Sequence, residues 1–348
     1  MAVWAKMMIV KSNSKRLIKI LTASFVGVGM ILFAVTPRDH PINQSPAQNT
    51  STAPSLPSLV KLPTAKLDQT DIALLNLLCA QQLSGAADIN ISNQLATLDQ
   101  WAKRVKNETE RYLYRFRANP TEYYSSEAYF RMLMMAVVFY EDLNIRYNPE
   151  RISNPQNINP NDRFFADSRD IFIHGLIGDR HMGTCSSMPV LYAAVGRRLG
   201  YPLKLVTTKA HLFLRWDDGK ERFNLEATGR GMNRYDDEHF KQWPFPVSEE
   251  EIHTEGYLKS LTAAEELAVF LSLRANCLKE AGQIQDAADC YAHAARLAPT
   301  SRSYALLQAD LLQSRPQAQQ PQSAHRGAPI ATQNYVSEPN PLNSISPR

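Results

Sequence analysis

Ala210-His211-Leu212-Phe213-Leu214-Arg215-Trp216, Asp217-Asp218-Gly219-Lys220 and Arg222-Phe223-Asn224-Leu225-Glu226 together decide the fold. Two alternating runs flank an Asp-Gly, the strongest short-range signal for a β-hairpin. A turn centred on Asp218-Gly219 puts His211 opposite Glu226. Directly opposed side chains on one face lie about 4.5–5.5 Å apart at Cβ. Leu212, Leu214, Phe223 and Leu225 then share the other, apolar face. A histidine held by a carboxylate lacks only a nucleophile, and Gly183-Thr184-Cys185 offers one.

Upstream, Met188, Leu191, Tyr192, Val195 and Leu199 recur at helical spacing from Cys185, with Gly200 as C-cap and Pro202 beyond it. Pro189 falls in the first turn, where its missing N–H costs little. Cys185 is therefore expected at a helix N-terminus, where the helix dipole and a neighbouring imidazolium would favour the thiolate. Its backbone N–H would be one oxyanion donor; no second donor is legible. His181 and Asp179 stand four and six residues before Cys185 and are an alternative source of the base. Leu203-Lys204-Leu205-Val206 reads as the strand that enters the hairpin.

The rest of the chain divides by composition. The 348 residues are 44% hydrophobic and carry a formal charge of +4, too little to argue for nucleic acid, and no basic stripe is interleaved with aromatics. Residues 1–19 are basic, with Lys6, Lys11, Lys15, Arg16 and Lys19 all preceding the first acidic residue, Asp39. The uncharged run 20–35 reads as a single membrane anchor with a cytoplasmic N-terminus and the main domain outside. A cleaved signal, giving a secreted or periplasmic protein, is the alternative, although Phe33-Ala34-Val35-Thr36 is a poor cleavage site.

Residues 36–65 are rich in Pro, Ser, Thr, Asn and Gln and read as a flexible linker. A helical subdomain spans 66–150, with helices near Leu67–Ser84, Ser92–Arg117 and Ser126–Leu143. The core spans 151–250, beginning with a Pro- and Asn-rich loop and a short helix at 170–176, and ending in a polar, Gly-containing loop from Glu226 to Ser248. In 251–312, Leu271, Ala275, Leu278, Ala287, Tyr291, Ala294 and Pro299 match tetratricopeptide spacing, with Leu271 at the usual Trp position. Residues 313–348 are Gln-, Pro- and Ser-rich, a disordered tail. Four scattered cysteines make no disulfide framework, though Cys277 and Cys290 lie on consecutive helices and could pair. No CxxC or Cys/His cluster has metal spacing, so neither metal nor cofactor is expected.

Gly183-Thr184-Cys185, the helix running to Arg198-Leu199-Gly200-Tyr201-Pro202, then His211 and Asn224-Leu225-Glu226-Ala227-Thr228 resemble the transglutaminase-like superfamily over about residues 125–312. The likeness is to the bacterial branch in which tetratricopeptide helices follow the core. The resemblance implies an α+β, papain-like core with the Cys on a helix and the His and acid on adjacent antiparallel strands. It implies a triad of Cys185, His211 and Glu226, with Glu where Asp is usual. Implied activities are peptide hydrolysis, amide cross-linking and other acyl transfer on a protein or peptide substrate. Three readings stay open: a membrane-tethered thiol peptidase or amidase, a true transglutaminase with a shielded amine site, and a non-catalytic scaffold. In the scaffold the C-terminal helices would be the partner surface; one repeat alone reads as packing.

Overall fold

A computed structural model describes residues 55–151, 163–229 and 232–313. The segments expected to be anchor and tail lie outside the described residues, as does most of the expected linker. Among the described residues, no helix is long and apolar enough to cross a membrane. Helical turns begin at Leu56–Leu59 and Thr64–Leu67, inside the stretch expected to be flexible, because Leu59, Val60 and Leu67 find buried positions.

Three helices come next. Helix α1 (Ile72–Ala80) starts where the Asp71 side chain accepts from Ala73 N at 2.8 Å, and eight of its nine residues are buried. Helix α2 (Ile91–Ala118) is capped by Asn90 and buries the stripe Leu98, Trp101, Ala102 and Val105 while its other faces meet solvent. Helix α3 (Glu127–Val137) is capped by Ser126 and continues as a π turn to Asp142. These starts follow the rule that a short polar side chain satisfies the orphan N–H groups of the first turn. The sequence reading placed all three helices, and the first is shorter than expected.

Helix α4 (Met188–Arg198) is the central helix. Met188, Val190, Leu191, Tyr192 and the alanines through Val195 are buried between α1 and α2 on one side and the sheet on the other. The sheet is an antiparallel meander of β3 (Leu203–Thr208), β4 (His211–Asp217), β5 (Arg222–Glu226) and β6 (Asn233–Tyr235), in that order, beside a two-residue parallel pair of β1 (Arg146–Tyr147) and β2 (Met182–Gly183). Strands β3 and β4 join through Lys209-Ala210, with Ala210 at φ +58°.

The β4–β5 register departs from expectation. Leu214 pairs with Leu225 and Asp217 with Arg222, so the ladder is displaced by two residues and the loop holds four residues. Asp218 causes this: its side chain accepts from the N–H of both Lys220 and Glu221, at 2.8 and 2.7 Å. Gly219 takes the positive φ of +78° that such a loop requires. Because strand side chains alternate with period two, a slip of two leaves every residue on its expected face. His211 and Glu226 therefore remain on one face, as diagonal neighbours.

The segment 227–248, expected to be a loop, holds β6 and helix α5 (Asp237–Gln242), which caps the His211 face of the sheet. Phe240 stacks on Phe213 with centroids 3.7 Å apart, and Val206 and Leu258 complete that cluster. Arg215 is fully buried beneath it, bonded to Asn224 Oδ1 (2.7 Å), Asp237 Oδ1 (2.6 Å) and the Leu258 carbonyl (2.9 Å). This answers the cost of burying a guanidinium.

Beyond the core come α6 (Glu249–Glu255), α7 (Ala263–Glu280), α8 (Ile284–Leu297) and α9 (Ser303–Gln313). Helix α7 packs on both α1 and α8, which ties the C-terminal helices to the N-terminal ones. Cys277 and Cys290 are buried free thiols and do not pair.

Candidate active site

Cys185 sits in the turn Thr184–Ser187, not in the helix. The first helical residue is Met188, and the turn closes through Ser187 N to Thr184 O (3.1 Å) and Met188 N to Thr184 O (2.9 Å). Ser187 Oγ accepts from Thr184 N at 3.0 Å, so the loop is clamped on both sides of Cys185. Gly183 is required for a related reason: a Cβ there would collide with Ser187 Oγ and with Leu176.

The loop hangs from the backbone carbonyl of Asp170, a residue whose carboxylate is itself buried and held. The Asp170 side chain accepts from Asn148 Nδ2 (2.8 Å), Arg151 Nε (2.8 Å) and Arg180 Nη2 (2.9 Å). Its backbone carbonyl accepts from Thr184 Oγ1 and Ser187 Oγ, at 2.8 and 3.2 Å. One residue thus joins the 148–151 segment, Arg180 and the cysteine turn. No sequence signal marked Asp170 for this role, because its partners come from three separate segments.

His211 and Glu226 meet as the sheet dictates. His211 Nε2–H donates to Glu226 Oε2 at 2.7 Å, and the two residues are 5% and 3% exposed. The second carboxylate oxygen accepts from Thr228 N (2.8 Å) and Thr228 Oγ1 (2.6 Å). A diagonal pair on a sheet is about 7–8 Å apart at Cα, and a glutamate spans that gap better than an aspartate. Glu at this position suits the observed register.

Burial opposes charge on His211, but the Glu226 carboxylate beside it and the Cys185 thiol outweigh burial and raise its pKa well above 6.5. Burial likewise pushes Glu226 up, and the His211 imidazole with the Thr228 bonds more than offsets it, leaving the carboxyl below its ordinary range. His211 Nδ1, the nitrogen that Glu226 does not use, has no hydrogen-bond partner among the described residues. Cys185 is the neighbour whose thiol bears on the ring. Trp243 places its ring against the imidazole at 4.6 Å in T-shaped contact, which limits how the imidazole can turn.

Three other histidines are engaged elsewhere. His181 stacks on Trp101 at 6.4 Å. His174 meets Ser168 Oγ at 3.3 Å, and burial lowers its pKa to about 4. His239 stacks on Tyr235 at 3.9 Å.

Two features were invisible to sequence reasoning. Tyr147, carried by β1 opposite Gly183, brings its hydroxyl to the Cys185 backbone amide. That hydroxyl is buried without a hydrogen bond of normal geometry, and burial raises its pKa, so it stays a proton donor. Second, Cys185 and His211 open onto a cavity of about 290 Å³, and much of its far wall comes from α7 and the start of α9. Only the register of β1 on β2 and the packing of α7 on α1 bring these groups in.

Residues 92–243 match the transglutaminase-like superfamily, so the chain carries a transglutaminase-like domain there, followed by helices. The match begins earlier than the resemblance suggested, at the start of α2, and ends at Trp243, short of the C-terminal helices. No curated protein and no solved structure matches the chain.

Proposed function

We propose that this chain is a membrane-tethered thiol enzyme that hydrolyses or transfers acyl groups at amide bonds of a protein or peptide substrate. Cys185 is its nucleophile, His211 its general base and acid, and Glu226 its orienting carboxylate. The observation that carries this reading is the division of labour on one imidazole. Nε2 is committed to a buried carboxylate, while Nδ1 is unpartnered and adjacent to a thiol that opens onto a cavity.

The chemistry follows from that arrangement. With the Cys185 proton held on Nδ1, Sγ bonds to the substrate carbonyl carbon and the carbonyl oxygen takes up the electron pair. We assign the Cys185 N–H and the Tyr147 hydroxyl beside it as the donors to that oxyanion. Nδ1–H then protonates the leaving amine as the C–N bond breaks, giving a thioester. Water, or a second amine, attacks the thioester with His211 again accepting its proton, and Cys185 leaves as the thiol. Glu226 holds the Nε2–H tautomer throughout and balances the imidazolium.

A scaffold reading draws on one observation: Cys185 is only 6% exposed. Alkylation decides between the two. Iodoacetamide should modify Cys185 in the folded chain at neutral pH, and His211→Ala should slow this about tenfold or more; a Cys185 that labels only after unfolding would leave a scaffold. Tyr147→Phe should leave alkylation unchanged, since alkylation builds no oxyanion. The same change should slow acylation by p-nitrophenyl acetate about 10²-fold.

Tethering rests on the apolar run 20–35 with basic residues before it. The full chain should stay with membranes through alkaline carbonate extraction, and deletion of 1–35 should release it. Release of the full chain would instead support a cleaved signal.

A further inference from the structure

The cavity that exposes Cys185 and His211 is not built by the transglutaminase-like domain alone. Phe164 and Phe165 stand on the domain side, and Val269, Leu273 and Asn276 of α7 form a wall beyond it, outside residues 92–243. The lining also holds one carboxylate, Glu255, the last residue of α6.

Glu255 has an unusual electrostatic position. Its Oε2 accepts from Ser301 Oγ (2.8 Å), Ser303 N (3.1 Å) and Ser303 Oγ (2.6 Å), which locks the side chain in place. Its Oε1 has no hydrogen-bond partner, and no cation pairs with it, among the described residues. No lysine or arginine lines the cavity. Tyr257 and Tyr304, also in the lining, are kept neutral by burial, which raises the first above its ordinary range and the second to about 12. A half-buried carboxylate without a counterion, fixed in the wall of a half-open cavity, favours a cationic occupant.

From this we infer that the C-terminal helices complete a substrate subsite, and that the group it selects is a cation on an aliphatic stem, a primary ammonium or a guanidinium. The stem lies along Phe165, Val269 and Leu273, and the cationic head meets Glu255. Specificity on this view resides outside the family domain, in a wall that α6, α7 and α9 supply. The inference rests on Cys185 being the reactive group of the cavity.

Three methanethiosulfonates test it on the full chain: the aminoethyl (cationic), methyl (neutral) and sulfonatoethyl (anionic) reagents. Each forms a mixed disulfide with a thiolate and expels methanesulfinate. Modification of Cys185 is followed by peptide mass, and rates are referred to those of the unfolded chain. The cationic reagent should react about tenfold faster than the neutral one, and the anionic reagent slower still. Glu255→Gln keeps an acceptor for the serines and should bring the three rates together.

A second measurement needs no variant. Butylammonium should protect Cys185 from methyl methanethiosulfonate, while 1-butanol and butyrate should not. Equal rates for the three reagents in the wild-type chain, a preference that survives Glu255→Gln, or equal protection by the three C4 compounds would each overturn the cationic subsite while leaving the thiol enzyme intact. A folded Cys185 that no reagent modifies would remove the enzyme reading, and the subsite with it.

Discussion

Replacing Glu226 with glutamine should reduce turnover of an activated ester about 10³–10⁴-fold while the chain still folds. The amide can accept from His211 Nε2–H, so geometry is largely kept; what is lost is the negative charge that supports an imidazolium in a buried place. The same change should be visible in stability as a function of pH. His211 has its folded pKa raised above the unfolded 6.5, so its contribution is fully present below 6.5 and is lost as pH rises through the raised folded value. Glu226 has its folded pKa lowered below 4.5, so its contribution is present above 4.5 and is lost as pH falls through the lowered value. The pair therefore supports the fold most between about pH 4.5 and 6.5. Thermal unfolding across pH should show an alkaline decline in the wild type that is flattened in Glu226→Gln. Unchanged turnover and an unchanged pH profile would take Glu226 out of the site.

Asp170→Ala should be the most damaging single change to stability near the site. It strips the shared acceptor from Asn148, Arg151 and Arg180. Breaking a buried ion pair by removing one partner costs about 3–5 kcal/mol. The lower end applies here, because both arginines are partly exposed and can turn to solvent. A loss of about 3 kcal/mol corresponds to a fall in Tm of roughly 6–12 °C for a folded region of this size. Asp170→Ala keeps the backbone carbonyl that holds Thr184 and Ser187 but frees it to shift once the carboxylate network is gone, so Cys185 alkylation should also become less selective over the other thiols. A Tm within about 2 °C of wild type would show that the network adds little.

Much of the site was legible because its geometry is periodic. Alternation from His211 to Trp216 and from Arg222 to Glu226 assigns each side chain a face, and that assignment survived a register two residues from the expected one. The register itself was misjudged because Asp218 closes a four-residue loop through its side chain, a preference that Asp-Gly alone does not reveal. Helices α2 and α3 could be read from their apolar stripes, and the caps Asn90 and Ser126 fix where they begin. The segment after Glu226 could not: β6 has only three residues and α5 only six, too short for either period to show. The expected helical position of Cys185 was early by three residues. Periodicity marks where a helix face lies, whereas its first residue is set by the Thr184–Ser187 turn and the Asp170 backbone carbonyl that holds it.

The sequence by itself determined the elements, the buried faces, the candidate trio Cys185, His211 and Glu226, and the family resemblance. All of these rest on residues close in the chain or on repeating spacing. Tertiary structure alone decided which groups surround that trio. Tyr147 reaches the Cys185 amide through a two-residue parallel pairing, and Trp243 returns across the sheet to press on His211. Asp170 gathers partners from three segments, and α7 and α9 wall the cavity with Glu255 fixed at its edge. These contacts join residues from 10 to more than 100 positions apart. No local propensity encodes them; they follow from the burial of apolar faces that carries the distant groups into place.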